Sequence, residues 1–318
     1  MKRITLLTNP EKCNLRCPLC FLNQRSGVEC GERGGECREL DGCGFGEMPF
    51  DVVRAAIEKY AAERDASDNR ILREVIPSTM GEPLLYSRFD ELLELCRGLE
   101  IPLNLTTNGT FPGKWGSDAG MAELLRACSD IKVSYLASEQ FDGWKANVEK
   151  LLNERRGLIA VRAAQNGNAM RVGNVANSML NARALDIATV SLQVTLHKKN
   201  VDDVAELVAW ASAIGIERIK WNPVVFLSVA SQELREMYAL DDASLGNLRA
   251  ELRTGAFAFS KVKHEGSLFF DNSEDHCAVG GKCESCPFAD EVWVWPDGHE
   301  DHCPNPERRW GELSSSAK

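Results

Sequence analysis

Three cysteines, Cys13, Cys17 and Cys20, stand at C-x3-C-x2-C spacing directly after a short apolar run. Thiolates are metal ligands, and a loop this tight can bring three of them onto one face of a small inorganic cluster. Cubane iron–sulfur clusters normally take four cysteine ligands. The next cysteine is Cys30, so three in one loop suggest an iron left open for another ligand. A zinc site more often shows two C-x2-C pairs, or cysteine with histidine. The remaining alternative is three reduced thiols without a metal.

The other nine of the twelve cysteines fall into three groups. Cys277, Cys283, Cys286 and Cys303 surround Val292–Gly298, which reads as a strand followed by a Pro-Asp-Gly turn. Such a hairpin can return Cys303 to the other three. Four cysteines complete a closed metal site, iron–sulfur or zinc. His276 and His302 read as solvated neighbours. Cys30, Cys37 and Cys43 lie in the Gly-rich loop 26–47. They are candidates for further cluster or zinc ligands, for a single functional thiol or hydrogen donor, or for ordinary thiols. Cys96 and Cys128 fall on the apolar stripes of helices and read as structural.

Elements must position these groups. Residues Ile4–Thr8, Leu72–Pro77, Pro102–Thr107, Ile131–Tyr135, Val190–Leu196 and the stretch around Ile219–Asn222 read as strands, with amphipathic helices between them. Pro49 opens the first helix, Ser87 is expected to cap the second, and Asn200 a later one that ends at Gly215. Alternating strands and helices imply parallel βα units, and six of them give an α/β chain. The predicted fold is a partial (β/α)6 TIM-like barrel with a small Cys-rich C-terminal extension. The period-2 pattern puts Lys132, Ser134, Gln193, Thr195, Lys220 and Asn222 on an inward polar face. There Lys132 and Lys220 face an anionic substrate, or these inward residues pair with each other or with Glu82. Residues 157–187 break the alternation and read as an insertion. The expected domains are a core at 1–225, a helical bridge at 226–270 and a metal-bearing tail at 271–318.

The chain has 318 residues, 44% of them hydrophobic and 26% charged, with a formal net charge of −10. This suits a globular chain and argues against a phosphate-tracking nucleic-acid surface. The apolar run at Ile4–Leu7 is too short for a signal peptide, and no run approaches a membrane span. A cytoplasmic location is expected, where cysteines favour metal over disulfides.

C-x3-C-x2-C after the first strand, Gly81-Glu82-Pro83 after the second and Thr107-Asn108-Gly109 after the third together resemble the radical SAM superfamily, over roughly residues 3–225. The resemblance implies that Cys13, Cys17 and Cys20 hold a [4Fe–4S] cluster whose open iron chelates S-adenosylmethionine (SAM). It implies reductive cleavage to a 5′-deoxyadenosyl radical that abstracts hydrogen from a substrate, with a flavodoxin- or ferredoxin-type electron donor. It also implies SAM contacts at Gly81, Glu82, Asn108, Ser134, Gln193 and Thr195. Two positions depart from the family pattern: Leu19 stands where an aromatic often precedes the third cysteine, and Met80 where a first Gly is usual. The tail resembles a shortened auxiliary-cluster domain of the SPASM/twitch type. That implies a second [4Fe–4S] cluster on Cys277, Cys283, Cys286 and Cys303, and a peptide substrate of ribosomal origin. The rival enzyme reading is a small-molecule radical SAM dehydrogenase or decarboxylase in sugar or nucleoside biosynthesis. A zinc-stapled binding protein without catalysis is the alternative from another class.

Overall fold

The structure is a computed structural model, and it describes residues 2–24, 46–77, 80–136, 141–165, 187–254, 257, 261–269, 290–303 and 305. In chain order the main elements are β1 (Lys2–Leu6), α1 (Phe50–Ala62), β2 (Leu72–Pro77), α2 (Phe89–Gly98), β3 (Leu103–Thr107), α3 (Asp118–Ala127), β4 (Cys128–Tyr135) and α4 (Phe141–Gln165). They continue with β5 (Thr189–Leu196), α5 (Val204–Ile214), β6 (Arg218–Pro223), α6 (Gln232–Tyr238), α7 (Asp242–Thr254), β7 (Lys263–Glu265), β8 (Glu291–Val294) and β9 (Glu300–Asp301). They form two compact units. One holds Met1–Ile101, Val224–Ala239 and Asp271–Lys318; the other holds Pro102–Pro223 and Leu240–Phe270.

In the first unit β1 pairs in parallel with β2 on one side and with β8 on the other. β8 then pairs antiparallel with β9. Ile4 and Leu6 of β1, Val75 of β2 and Val292 of β8 are at most 1% exposed, so this sheet is buried on its apolar face. The strand and turn expected at 292–298 form, with Gly298 at φ +87° where the backbone must turn left-handed. The hairpin is fastened to α1, because Lys59 Nζ and Tyr60 Oη donate to Glu300, each at 2.7 Å. Burial and that carboxylate push the Tyr60 hydroxyl up to about 12.

The second unit is a parallel run, β3-β4-β5-β6-β7. Ile131, Val133, Leu192, Ile219 and Trp221 are fully buried on one face. The polar residues of the same strands share the other face. Gly215 ends α5 at φ +87°, the left-handed cap its position suggested.

Several sequence expectations need correction. Cys128 opens β4 and is not on the helical stripe, because α3 stops at Ala127. Ser87 does not cap α2; its hydroxyl bonds Glu47, and Arg88 holds the cap position without a side-chain hydrogen bond. Asn200 has no side-chain cap either. Its carboxamide accepts from His197 N at 2.9 Å and donates to Thr195 O at 2.8 Å, closing the turn after β5. The first part of the supposed insertion, residues 157–165, continues α4, since Leu158–Gln165 contains good helix formers and no proline. The helical bridge expected at 226–270 holds two helices, α6 and α7, with residues 239–241 between them. β7 is a further parallel strand, too short and too polar to stand out in sequence. Among the described residues, no helix is long and apolar enough to cross a membrane.

Candidate active site

β1 delivers the chain to its functional loop. Thr8 and Asn9 follow it almost fully buried. The Thr8 hydroxyl donates to Asn9 Oδ1 at 2.7 Å, which turns the Asn9 amide nitrogen outward. Asn9 Nδ2 then donates to Lys12 O at 3.3 Å and to Glu82 O at 2.7 Å. Glu82 N donates back to Lys12 O at 2.9 Å. The loop that ends β2 is thus bonded to the turn that leads into Cys13.

Gly81 explains why that approach is possible. It lies at φ +75°, and a Cβ there would stand 2.1 Å from Asn9 O and 2.9 Å from Lys12 O. Only glycine satisfies both the left-handed backbone and the contact. Glu82 is fully buried, and its Oε1 accepts from Leu84 N at 3.2 Å.

Cys13, Cys17 and Cys20 are each partly exposed, and none is in a disulfide. The Leu15 amide points at Cys13 Sγ at 3.4 Å, and Cys20 N donates to Cys17 O at 3.0 Å in the turn between them. Burial, then the neighbouring Cys13 and Cys20 sulfurs, push the Cys17 thiol up to about 11. Burial also raises Cys20. Three thiolates so placed repel one another, and a bound cationic group would relieve them. No three His, Cys, Asp or Glu side chains among the described residues converge on a single-ion site.

Two supports of this loop had no sequence signature. Gln24 is 3% exposed and bonds three backbone groups: Nε2 donates to Leu19 O at 3.0 Å and to Val225 O at 3.1 Å, and Oε1 accepts from Leu227 N at 2.8 Å. It ties the Leu19–Cys20 turn to residues 225–227. The second support is apolar: Leu7, Leu22, Met80, Leu227, Trp293 and Trp295 form one buried cluster, with Cys20 and Phe21 packed against it. Met80 stands where the resembled motif has glycine, and here its side chain fills that cluster. Met80→Gly is expected to lower stability by roughly 2–5 kcal/mol through the cavity it leaves. A urea midpoint unchanged from the wild type would contradict this.

Cys303 follows β9, and its amide donates to Asp301 Oδ1 at 3.0 Å. Cys277, Cys283 and Cys286 lie outside the described residues, as do Cys30, Cys37, Cys43, most of 157–187 and the end of the tail.

In the second unit Asn108 closes its own turn, since Oδ1 accepts from Thr110 N at 3.0 Å and Thr110 Oγ1 at 2.7 Å. Gly109 lies at φ +80°, and a Cβ would meet Trp144 and Val133 at 2.7 Å. Ser134 and Gln193 are register partners on β4 and β5, and Thr195 follows two residues on, facing the same way. Lys132 is 8% exposed and bonded to Asn104, with Asp130 at 3.8 Å. Of the two roles the sequence allows Lys132, the structure shows the pairing, with Asn104 and Asp130 as its partners. His197, just past β5, bonds Leu136 O at 2.7 Å through Nε2, and burial lowers its pKa below the ordinary imidazole value.

No family model matches this chain, and no curated protein matches it. Among solved structures it is similar to Streptococcus suis SuiB bound to S-adenosylmethionine, at 15% identity and TM-score 0.53, covering 95% of this chain and 60% of that one. SuiB bound to its precursor peptide SuiA gives 15% identity and TM-score 0.54, over 98% of this chain and 60% of that one. Native anSMEcpe with bound AdoMet and Cp18Cys peptide gives 15% identity and TM-score 0.54, over 95% and 74%. The chain thus spans about 60% of the length of the SuiB structures. The likeness shows the fold: an α/β chain on parallel strands, consistent with the expected partial barrel.

Proposed function

We propose that this chain is a radical SAM enzyme that acts on a peptide. The observation that carries the reading is the joining of two separate motifs. The Gly81-Glu82 loop is bonded to the turn that introduces Cys13, by contacts that exclude any side chain at position 81. Cys13, Cys17 and Cys20 would hold a [4Fe–4S] cluster, which when bound supplies the electron that cleaves SAM to a 5′-deoxyadenosyl radical. Gly81 and Glu82 offer a carbonyl and a carboxylate to the methionine ammonium. The Glu82 carboxylate is buried, and its bond from Leu84 N holds one oxygen in place. Asn108, Ser134, Gln193 and Thr195 are proposed as further SAM contacts. Cys277, Cys283, Cys286 and Cys303 are proposed to hold an auxiliary [4Fe–4S] cluster in the segment 271–318. A flavodoxin- or ferredoxin-type donor and a cytoplasmic location complete the proposal.

The peptide is supported by the solved structures of similar fold that carry bound peptides. The reading is tested by anaerobic incubation with SAM and a strong reductant. The wild type should form 5′-deoxyadenosine, and Cys17→Ala should form none above the protein-free background. Equal 5′-deoxyadenosine from both proteins would sink the assignment of Cys17.

A further inference from the structure

The polar face of the β3–β7 sheet is unevenly neutralised. Asp130 accepts from Thr189 at 2.7 Å and Ser191 at 3.1 Å, and also meets Arg218 and, at 3.8 Å, Lys132. Glu265 meets Lys263 at 3.0 Å, Arg218 at 3.5 Å and Lys220 at 3.6 Å. Lys132 and Arg218 thus meet Asp130, and Arg218, Lys220 and Lys263 meet Glu265, a gathering of cations on one face of a chain of net charge −10. The lower part of this network is closed: Asn104, Asp130, Lys132 and Ser191 are all 8% exposed or less.

Lys220 is different. Its side chain is 29% exposed, it makes no hydrogen bond among the described residues, and its nearest carboxylate already serves Lys263 more closely. Its ion pair with Glu265, at 3.6 Å, lies beyond hydrogen-bond distance, which leaves its N–H donors open to an incoming acceptor. Two residues on, Asn222 shares its face of β6. Asn222 Oδ1 accepts from Ser267 N and Ser267 Oγ, both at 3.1 Å, which leaves its amide NH2 as the group on offer. Lys220 and Asn222 thus present donors and no acceptor. Such a pair selects an acceptor-only group, and Glu265 beside it favours a monoanion over a phosphoryl dianion.

We infer that Lys220 and Asn222 recognise a carboxylate of the substrate, carried by an acidic side chain or by the C-terminus of a peptide. The inference rests on the radical SAM reading above. Gln193 and Thr195 are the register partners of Lys220 and Asn222. If β4 and β5 face SAM, β6 faces what lies beside it.

The test is calorimetry on cluster-loaded protein with SAM present, using three peptide probes. They are N-acetyl-Ala-Ala-Glu-Ala-Ala-amide, its Gln counterpart, and the Gln peptide with a free C-terminus. One of the two anionic probes should bind at least tenfold more tightly than the neutral one, and which one identifies the source of the carboxylate. Lys220→Met should bring that ratio within twofold, and Lys220→Arg should keep most of it. SAM affinity measured without peptide should not change in either variant. A wild type that treats the three peptides alike overturns the inference. So does a tenfold loss of SAM affinity in Lys220→Met, which would make the carboxylate that of SAM. A wild type that binds no SAM instead defeats the underlying reading.

Discussion

Gly81→Ala should uncouple the two halves of the candidate active site. A Cβ at this position would enter the space of Asn9 O at 2.1 Å and Lys12 O at 2.9 Å. Both are backbone atoms of the turn that precedes Cys13, so no side-chain rotation relieves the clash. The left-handed conformation adds roughly 1–2 kcal/mol for any residue with a Cβ. Separating the loops breaks Asn9 Nδ2–Glu82 O and Glu82 N–Lys12 O, worth about 1 kcal/mol each. A loss of roughly 3–5 kcal/mol is expected, with a matching fall in retained iron. Gly157→Ala is the control: Gly157 is inside α4 with nothing within 4 Å of its would-be Cβ, so alanine should stabilise by about 0.5–1 kcal/mol. Urea unfolding and iron content measured side by side decide the matter. A Gly81→Ala protein as stable and as iron-rich as the wild type would mean that the contact does not organise the site.

Asp130→Ala should be the most damaging change in the second unit. Asp130 is 6% exposed, receives the Thr189 and Ser191 hydroxyls, and faces both Arg218 and Lys132. Removing it takes a shared acceptor from two hydroxyls and a charge partner from Arg218 and Lys132; Arg218 still meets the more distant Glu265 carboxylate at 3.5 Å, and Lys132 the neutral Asn104. Breaking a buried pair from one side typically costs about 3–5 kcal/mol. Asp130→Asn keeps an acceptor for the hydroxyls but not the charge, so it should fall between alanine and the wild type. Lys263→Ala removes a side chain that is 68% exposed and should stay within about 0.5 kcal/mol of the wild type. The urea midpoints should rank in that order. An Asp130→Ala midpoint equal to that of Lys263→Ala would show that the network adds nothing to stability.

Much of this arrangement is legible in the sequence, for local reasons. Strands such as Val190–Leu196 show a strict two-residue alternation, and the Pro-Asp-Gly turn carries its own geometry. Glycine after a strand, as at Gly81, signals a close backbone approach, though not what it approaches. What could not be seen depends on distant partners. The tail hairpin was legible, but its place beside β1 was not, because nothing local says which strand 291–294 will join. Cys128 matched the helical stripe, yet α3 ends one residue earlier, and one cysteine fits a buried helix or a buried strand equally well. Met80 looked like a departure from a motif until its apolar partners were known, among them Trp293 and Trp295 from the other end of the chain. Gln24 had no signal at all: a glutamine with three backbone partners reads like any surface glutamine. Lys132 and Lys220 were indistinguishable by pattern. Their partners Asn104, for the first, and Glu265, for the second, come from other strands, which no local pattern displays.

The account turns on whether Cys13, Cys17 and Cys20 hold a SAM-binding cluster. The most direct measurement is electron paramagnetic resonance of the anaerobically reconstituted, reduced protein before and after adding SAM, with iron and sulfide counted on the same samples. A cubane contributes about four irons. The account predicts about eight irons in the wild type, a signal that shifts on adding SAM, and about four irons with no SAM response in Cys13/Cys17/Cys20→Ala. A SAM-insensitive signal, or a triple variant that keeps every iron and the same SAM response, would contradict it.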